Sequence, residues 1–423
     1  MTICASRLLA TVIATLITPF LSSITAAQEN ILDRREAEIA ILSVDGWRDD
    51  TARLLVEIGG IVSPSGEEHA RAARIADEMR RIGLSDVRIT DSPNVVGRIP
   101  GRSGESVVFV STLDDLRTVA AHQRERGAPP EIEADRVVGP GTNTSSTTAA
   151  MLTAARALIV AGIEPEHDLV FAGVAQEETG LNGMRDLYAE YKDTARSFID
   201  VLGDGRRISY GALGIHWWKV VASGPPGHTL GGGLPNINRG IARAVDRILG
   251  LPQPEQHADR VTRINVAMLQ SGAVFNHKPA EGWFSLDVRS LDAEIIADIE
   301  DDVRDILGNV TEETGISFRL ESENMTPGGQ IPGARESDLV KWSEHVSTRI
   351  GLSPTFSNSG SANLNIAIGA GTPAIGLGGG RGGSRGNPEE WADINAMMRS
   401  AQHVALLAIA LGSGDPAPAS VQP

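Results

Sequence analysis

Two nearly continuous apolar runs, separated by an alanine-rich stretch, constrain the fold of this chain more than any other feature. Residues 107–113 and 168–175 are apolar almost throughout, which is typical of strands buried on both faces of a parallel sheet. Between them, the stretch 139–150 begins as a glycine-rich turn and leads into a buried helix predicted over residues 147–161. This order of strand, helix and strand predicts an open α/β sheet, whose ligands bind beyond the carboxyl ends of its strands.

Helical patterns and short strands precede this core. Residues 33–58 show helical periodicity in two pieces broken at residues 45–46, and a helix is predicted over residues 67–81. Ser65 and Glu68 have the spacing of a capping box at the start of that helix. The amino-terminal part therefore alternates helices with strands, as an α/β domain does. The short strands are predicted at residues 87–90 and 95–99.

The pattern changes near residue 212 and becomes that of a separate unit. From residue 217 to about 320, the order of strands and helices predicts a compact α+β insert. The predicted organisation is a discontinuous α/β domain, residues 28–213 and 326–412, interrupted by a smaller domain at residues 214–325. The insert's predicted helices are 237–249 and 293–307 and its strands include 261–269, 283–289 and 316–321; a helix at 338–350 and an apolar run at 366–377 then resume the first domain.

Residues 1–27 have the features of a secretory signal peptide. Arg7 gives a short basic start, residues 8–24 are apolar, and small residues precede a cleavage position before Gln28. An uncleaved membrane anchor is the alternative interpretation, which the shortness of the apolar run disfavours. The mature protein is therefore expected to be secreted or periplasmic. Residues 413–423 are rich in Gly, Pro and Ala and are expected to form a disordered tail.

Cysteine content and charge exclude several classes of function. Cys4, the only cysteine, lies in the predicted signal peptide, so the mature chain has no disulfide, no thiol chemistry and no cysteine-ligated zinc. The chain has 54 acidic and 38 basic side chains, a net charge of −16 at pH 7. This excess of negative charge disfavours binding to nucleic acid and stable association with an anionic membrane.

Five short motifs in the predicted α/β domain carry a resemblance to a known family. They are Thr112-Leu113-Asp114-Asp115-Leu116, Thr144-Ser145-Ser146-Thr147-Thr148, Gln176-Glu177-Glu178-Thr179-Gly180-Leu181, Val201-Leu202-Gly203 and the segment ending in Glu390-Trp391. Together they resemble the di-zinc exopeptidases and deacylases, which include glutamate carboxypeptidase, acetylornithine deacetylase, succinyl-diaminopimelate desuccinylase and tripeptidase. The resemblance covers nearly the whole mature chain. It implies a zinc-exopeptidase-like α/β domain with an inserted ferredoxin-like lid through which such proteins usually dimerise.

The resemblance assigns roles to three acidic residues that this chain keeps. Glu177 matches the general base of the family, and Glu178 matches a zinc ligand. Asp114 matches the aspartate that orients a metal-binding histidine. A purely structural role is the alternative for Asp114, because the histidine that it would orient is missing.

At the other four ligand positions the chain departs from the family. Thr112 and Gly386 stand where the family has histidines, while Thr144 and Leu202 stand where it has aspartates. A threonine hydroxyl is a weak, neutral donor, and leucine and glycine have no side-chain donor atom. Since zinc catalysis requires a firmly held metal, the ordinary di-zinc mechanism is predicted to be absent, and no cofactor is expected.

Residues that bind substrate in the family are retained. Residues 224–229 match the lid motif whose histidine, here His228, reaches the substrate across the dimer. Asn276 and Arg289 match the asparagine and arginine that hold the substrate carboxylate, a role that a planar guanidinium suits. Asn363 belongs to Ser359-Gly360-Ser361-Ala362-Asn363, which resembles a segment near the substrate in the family, with two of its positions changed. The resemblance therefore implies a carboxylate clamp on a homodimeric protein.

The leading hypothesis is a secreted member of the family with a degenerate di-zinc site. It would bind a peptide or N-acyl amino acid carboxylate without ordinary hydrolysis. One alternative is an active amide hydrolase that uses Glu177 as base, with no metal or with one weakly held metal on Glu178 and either Asp204 or Asp200. Another alternative is a regulatory partner of an active paralogue, paired through the lid.

Overall fold

The structure is a computed structural model that describes residues 30–233, 235–252 and 262–417. Its helices are α1 (Arg35–Gly46), α2 (Arg48–Gly59), α3 (His69–Ile82), α4 (Arg117–Arg126), α5 (Thr142–Val160), α6 (Asn182–Tyr191), α7 (Ile237–Leu249), α8 (Ala293–Thr314), α9 (Asp338–Arg349), α10 (Leu364–Gly369) and α11 (Ile394–Gly412). Its strands are β1 (Ser85–Ile89), β2 (Val95–Ile99), β3 (Ser106–Thr112), β4 (Glu131–Glu133), β5 (Arg136–Val138), β6 (Asp168–Val174), β7 (Ala195–Val201), β8 (Arg207–Ser209), β9 (Gly214–Ser223), β10 (Gly227–His228), β11 (Thr262–Asn265), β12 (Leu269–Ser271), β13 (His277–Lys278), β14 (Glu281–Ser290), β15 (Ser317–Thr326), β16 (Thr355–Ser357), β17 (Ala374–Gly378), β18 (Gly382–Gly383) and β19 (Trp391–Asp393).

An eight-stranded sheet forms the centre of the larger domain. Its strand order is β1-β2-β6-β3-β7-β17-β8-β16. The middle strands β6, β3, β7 and β17 run parallel to one another, whereas β2 is antiparallel to β6 and β8 is antiparallel to β17. Every residue of β3 is buried, as its continuous apolar run predicts. The predicted α/β fold is therefore confirmed.

The two faces of this sheet belong to different cores. Val107 and Phe109 of β3 pack in a core with α1, α2, α3, α5 and α11, while Val108 and Val110 pack in a core with α6 and α10. This division follows from the period of two along a strand. Alanine-rich α5 is buried over nearly its whole length and packs against α1, α2 and α11. Thr148 of α5 donates a hydrogen bond of 3.0 Å to Ser111 of β3, which fixes the helix near the carboxyl end of that strand.

The inserted lid has its own sheet and core. Strand β14 pairs antiparallel with β9, β11 and β12, and β15 pairs antiparallel with β9. Helices α7 and α8 pack on this sheet around Trp218, Phe284 and Leu286. Burial alternates strictly along β14, so one face of the sheet is covered and the other is more open. The lid's sheet begins at Gly214 and its last strand ends at Thr326.

The start of α5 differs from the prediction. The helix begins at Thr142 rather than at residue 147, so Thr144 lies in its first turn and not in the preceding loop. The hydroxyl side chains at the start of α5 weaken the sequence pattern that predicts a helix, but the buried setting of α5 imposes helical backbone.

In the lid, the structure has two short strands, β11 and β12, where one strand is predicted at residues 261–269, in the part of that range that it describes.

The predicted capping box at α3 is wrong. The Ser65 hydroxyl donates to Asp114 Oδ2 at 2.5 Å instead of capping the helix, which begins at His69. Glu68 accepts the backbone N–H of Gly66 at 2.8 Å. Both side chains are engaged outside the helix, which sequence spacing does not reveal.

The predicted signal peptide, residues 1–27, lies outside the described residues, as do residues 418–423 of the predicted tail. Residues 413–417 of that tail are described, and the carbonyl oxygen of Asp415 accepts a hydrogen bond of 3.2 Å from the Trp342 indole; the disordered tail stays a prediction. Among the described helices, α11 is long and apolar enough to cross a membrane, but 78% of that segment is buried inside the protein. Its apolar surface is therefore accounted for by the core.

Candidate functional site

A pocket of about 390 Å³ lies beyond the carboxyl ends of β3 and β7, beside the first turn of α5. Thr112 at the end of β3, Thr144 in α5 and Leu202 directly after β7 line this pocket. Glu177, in the loop after β6, lines it as well. Three of the four positions where the sequence analysis predicts a lost ligand therefore converge beside the predicted catalytic carboxyl group.

Gly386, the fourth such position, is not one of the residues that line the pocket. Its backbone N–H donates to Glu390 Oε2 at 3.0 Å. The other oxygen of Glu390 accepts the N–H groups of Gly141 and Asn143 at 3.1 and 2.9 Å. Glu390 is fully buried, so one carboxylate joins the Gly386 loop to the amino end of α5, where negative charge is favourable.

Asp114 binds the backbone of the glutamate pair. Its oxygens accept the N–H groups of Glu177 and Glu178 at 2.9 and 3.1 Å, in addition to the Ser65 hydroxyl. Asp114 is completely buried and does not line the pocket. These hydrogen bonds hold the loop after β6 against the end of β3, which favours the structural alternative for Asp114.

The carboxyl groups of Glu177 and Glu178 have different surroundings. Glu178 forms an ion pair with Arg385, whereas Glu177 has no side-chain partner among the described residues. Burial, with the carboxylates of Glu178, Asp114 and Asp200, raises the pKa of Glu177 well above its ordinary value, and Arg385 offsets this only in part. Glu177 therefore keeps its proton to higher pH than an ordinary glutamate, which favours a proton donor over a base.

Asp200 belongs to a buried hydrogen-bonded network behind the pocket wall. Its oxygens accept Asn363 Nδ2 at 3.3 Å and the Leu364 N–H at 3.1 Å. The same Asn363 amide donates to Thr112 Oγ1 at 3.2 Å. Burial raises the pKa of Asp200 to about 7, although the hydrogen bonds from Asn363 and Leu364 act in the opposite direction. Asn363, predicted to lie near the substrate, is fully buried and supports the wall of the pocket.

Asp204 is engaged in ion pairs. Its carboxylate lies 2.7 Å from Arg206 and 3.3 Å from Arg399, and it accepts the Gly380 N–H at 2.9 Å. Asp204 is completely buried and does not line the pocket. In the described ranges, no group of three or more His, Cys, Asp or Glu side chains is placed to hold a metal ion.

Arginine and serine side chains that the sequence analysis did not interpret as binding residues line the rest of the pocket. Arg207 begins β8, and Arg381 and Arg385 lie on either side of β18 in the glycine-rich segment that follows β17. The presence of two arginines in this short, glycine-rich segment is the feature of the sequence that could have indicated a binding role. The serines that line the pocket are Ser209, Ser357, Ser359 and Ser361.

Of the three residues of the predicted carboxylate clamp, the structure brings His228 and Asn276 into contact with each other. His228 Nε2 lies 3.1 Å from Asn276 Nδ2, and the His228 ring lies 4.8 Å from the His277 ring. Arg289 instead forms an ion pair of 3.0 Å with Asp287 on its own strand, β14. None of His228, Asn276 and Arg289 is among the residues that line the pocket.

Comparisons with known proteins agree with this architecture. The chain is similar to carboxypeptidase G2 of Pseudomonas sp. (strain RS-16), with 25% identity over 252 residues; the match spans 56% of this chain and only 59% of that protein. It is also similar to the succinyl-diaminopimelate desuccinylase of Corynebacterium glutamicum, with 25% identity over 330 residues, which are 74% of this chain and 86% of that protein.

Solved structures share the fold over most of the chain. A tripeptidase from Staphylococcus aureus has a TM-score of 0.74 at 19% identity, covering 87% of this chain and 99% of its own. The aminopeptidase PepT from Bacillus cereus has a TM-score of 0.73 at 18% identity, covering 86% of this chain and 98% of its own. The sequence pattern of peptidase family M20/M25/M40 matches residues 118–410. The chain therefore belongs to peptidase family M20/M25/M40, the family that its motifs resemble.

Proposed function

We propose that this protein binds a peptide or an N-acyl amino acid through the ligand's carboxylate, without the di-zinc hydrolysis expected of its family. The observation that carries this proposal is the composition of the pocket beyond β3 and β7. Among the described residues, Thr112, Thr144 and Leu202 line it together with Arg207, Arg381 and Arg385. On the lid, His228 and Asn276 remain the residues predicted to contact the ligand.

The donor set supports this proposal because it does not fit a pair of zinc ions. Zinc is bound by thiolate, imidazole and carboxylate groups, which balance its charge. Glu178, the retained candidate ligand, is paired with Arg385, and both Asp200 and Asp204 are engaged by hydrogen-bond donors. Guanidinium groups beside the pocket also repel cations. We infer that the chain holds no metal pair there and that the single-metal alternative lacks a free carboxylate at Asp204.

Metal content tests this proposal directly. The chain without residues 1–27 is incubated with excess zinc, desalted and analysed for metal, beside an active di-zinc member of the family. We expect less than about 0.2 zinc ions per chain, because firm zinc binding needs three or four suitable ligands. About two zinc ions per chain would contradict the proposal. Turnover of N-acyl amino acids that resists chelators and is abolished in Glu177→Gln would instead support metal-free hydrolysis.

The lid's surface supports a homodimer. Phe275 is fully exposed, and Leu230 is 92% exposed. Val274, Met268 and Leu269 also expose more than half of their surface on the same domain. Leu230 follows β10, and Val274 and Phe275 precede β13, the strand with which β10 pairs. Contiguous exposed apolar side chains mark interaction surfaces.

Sedimentation equilibrium tests the proposed dimer. The wild-type chain is expected to have twice the mass of one chain at micromolar concentration. The double variant Leu230→Asp and Phe275→Asp should be mainly monomeric, because a dimer would bury its new charges. Leu42→Asp on α1, where the wild-type leucine is 63% exposed, is the matched control and should leave the mass unchanged. A monomeric wild-type chain would contradict the proposal.

A further inference from the structure

Two arginine side chains in the pocket form no ion pair within the described part of the chain, although the carboxyl groups of Glu177, Glu178 and Glu390 lie near one of them, Arg381. Arg385 is paired with Glu178, but Arg207 and Arg381 have neither an ion pair nor a side-chain hydrogen bond among the described residues. They come from distant parts of the chain and line the same pocket, because the pairing of β17 with β8 places Gly378, which lies shortly before Arg381, opposite Arg207. The cavity therefore contains two guanidinium groups whose donors are free to bind a ligand.

Serine hydroxyl groups surround these arginines. Ser209 and Ser361 line the pocket and have no side-chain hydrogen bond in the described part of the chain. Ser357 and Ser359 line it as well, with their hydroxyl oxygens 3.2 Å apart. Hydroxyl groups donate readily to oxyanions, so they complement the guanidinium donors.

The charge of the cavity is opposite to that of the whole protein. Of the described residues, Arg207, Arg381, Arg385 and Glu177 are the charged ones that line it. Glu178 pairs with Arg385, which leaves two unpaired guanidinium groups against Glu177, whereas the chain carries a net charge of −16. A positively charged cleft in an acidic protein concentrates anions locally. Arginine is also the side chain whose planar fork matches two oxygens of a carboxylate or a phosphate.

We propose that Arg207 and Arg381, with the serines around them, form an oxyanion subsite that binds a carboxylate or phosphate group of the ligand. This inference rests on the proposed function, in which the pocket binds a ligand without two metals. It assigns recognition of the anionic group to the α/β domain, whereas the family resemblance assigns it to Arg289 on the lid. The two arginines then supply the positive charge that metal ions supply elsewhere in the family.

Calorimetric titration with sodium phosphate and, separately, with sodium acetate tests the subsite. The probes are added to the chain without residues 1–27, in a chelator-treated buffer of low ionic strength. At least one probe is expected to bind, and its affinity should fall when 0.2 M sodium chloride is added. Arg207→Gln and Arg381→Gln should each weaken binding about tenfold, the usual effect of losing one hydrogen bond to a charged group. Arg239→Gln, which removes an exposed arginine of α7, is the matched control and should bind as the wild type does.

The outcomes separate this inference from the proposed function. Stronger binding of phosphate identifies a phosphate-bearing ligand, and equal or stronger binding of acetate identifies a carboxylate; either supports the subsite. Absence of binding by both probes, or wild-type affinity in both arginine variants, overturns the subsite. Loss of binding in Arg289→Gln alone would assign the anion to the lid and also overturn it. Zinc content of the same preparation tests the proposed function independently, so metal-free protein that binds neither probe would contradict the subsite alone.

Discussion

Arg71→Ala is expected to lower the free energy of unfolding by about 3–5 kcal/mol, the range measured when one partner of a buried ion pair is removed. Arg71 and Asp115 are each only 1% exposed and lie 2.6 Å apart. The guanidinium also donates to the carbonyl oxygens of Leu113 and Ile61 at 2.7 and 2.6 Å. Its loss would leave the buried Asp115 carboxylate without its partner and would remove one donor from each of these carbonyl groups. Chemical denaturation followed by circular dichroism measures the change.

The control for this prediction lies on the same helix. Arg80 of α3 is 54% exposed and pairs with an aspartate that is 74% exposed. Arg80→Ala should therefore change the free energy of unfolding by less than about 1 kcal/mol. If Arg71→Ala lowered the free energy of unfolding as little as Arg80→Ala does, Arg71 would not be the residue that fixes α3 to the end of β3 beside the pocket.

The contribution of Asp200 to the stability of the protein is expected to fall as pH rises from 5 to 7. Burial raises the pKa of Asp200 to about 7, against 3.8 for an ordinary aspartate. Between these values the folded state keeps a proton that the unfolded state has lost, so the unfolded state binds fewer protons and stability decreases with pH. Asp200 alone accounts for about 2 kcal/mol of that decrease. Burial raises the pKa of Asp115 to about 6, which acts in the same direction.

Asp200→Asn tests this assignment. Asparagine cannot ionise, so the unfolding free energy at pH 7 relative to that at pH 5 should be about 2 kcal/mol higher in this variant than in the wild type. Asp77→Asn removes a carboxylate that is 74% exposed, and it should leave the difference as in the wild type. An unchanged difference in Asp200→Asn would mean that Asp200 is already ionised at pH 5 in the folded protein.

The strands and helices of this protein can be predicted from its sequence because each depends on residues that are close together in the chain. The continuous apolar run of β3 and the alanine-rich α5 indicate a buried strand and a buried helix, and the lid has its own alternation of elements. Counting along the motifs also directs attention to Thr112, Thr144 and Leu202, which line one pocket. Each of these inferences needs only neighbouring residues or a known motif.

The sequence by itself therefore determined the α/β sheet, the inserted lid and the family. Only the tertiary structure decided which side chains surround the pocket and which partners they have. Arg207 and Arg381 line one pocket because β8 pairs with β17, and Asp204 forms an ion pair with Arg399 of α11. Whether a charged side chain is paired or free depends on groups far away in sequence. Hydrophobic periodicity does not identify such partners, whereas the packing of the sheet and helices brings them within hydrogen-bonding distance.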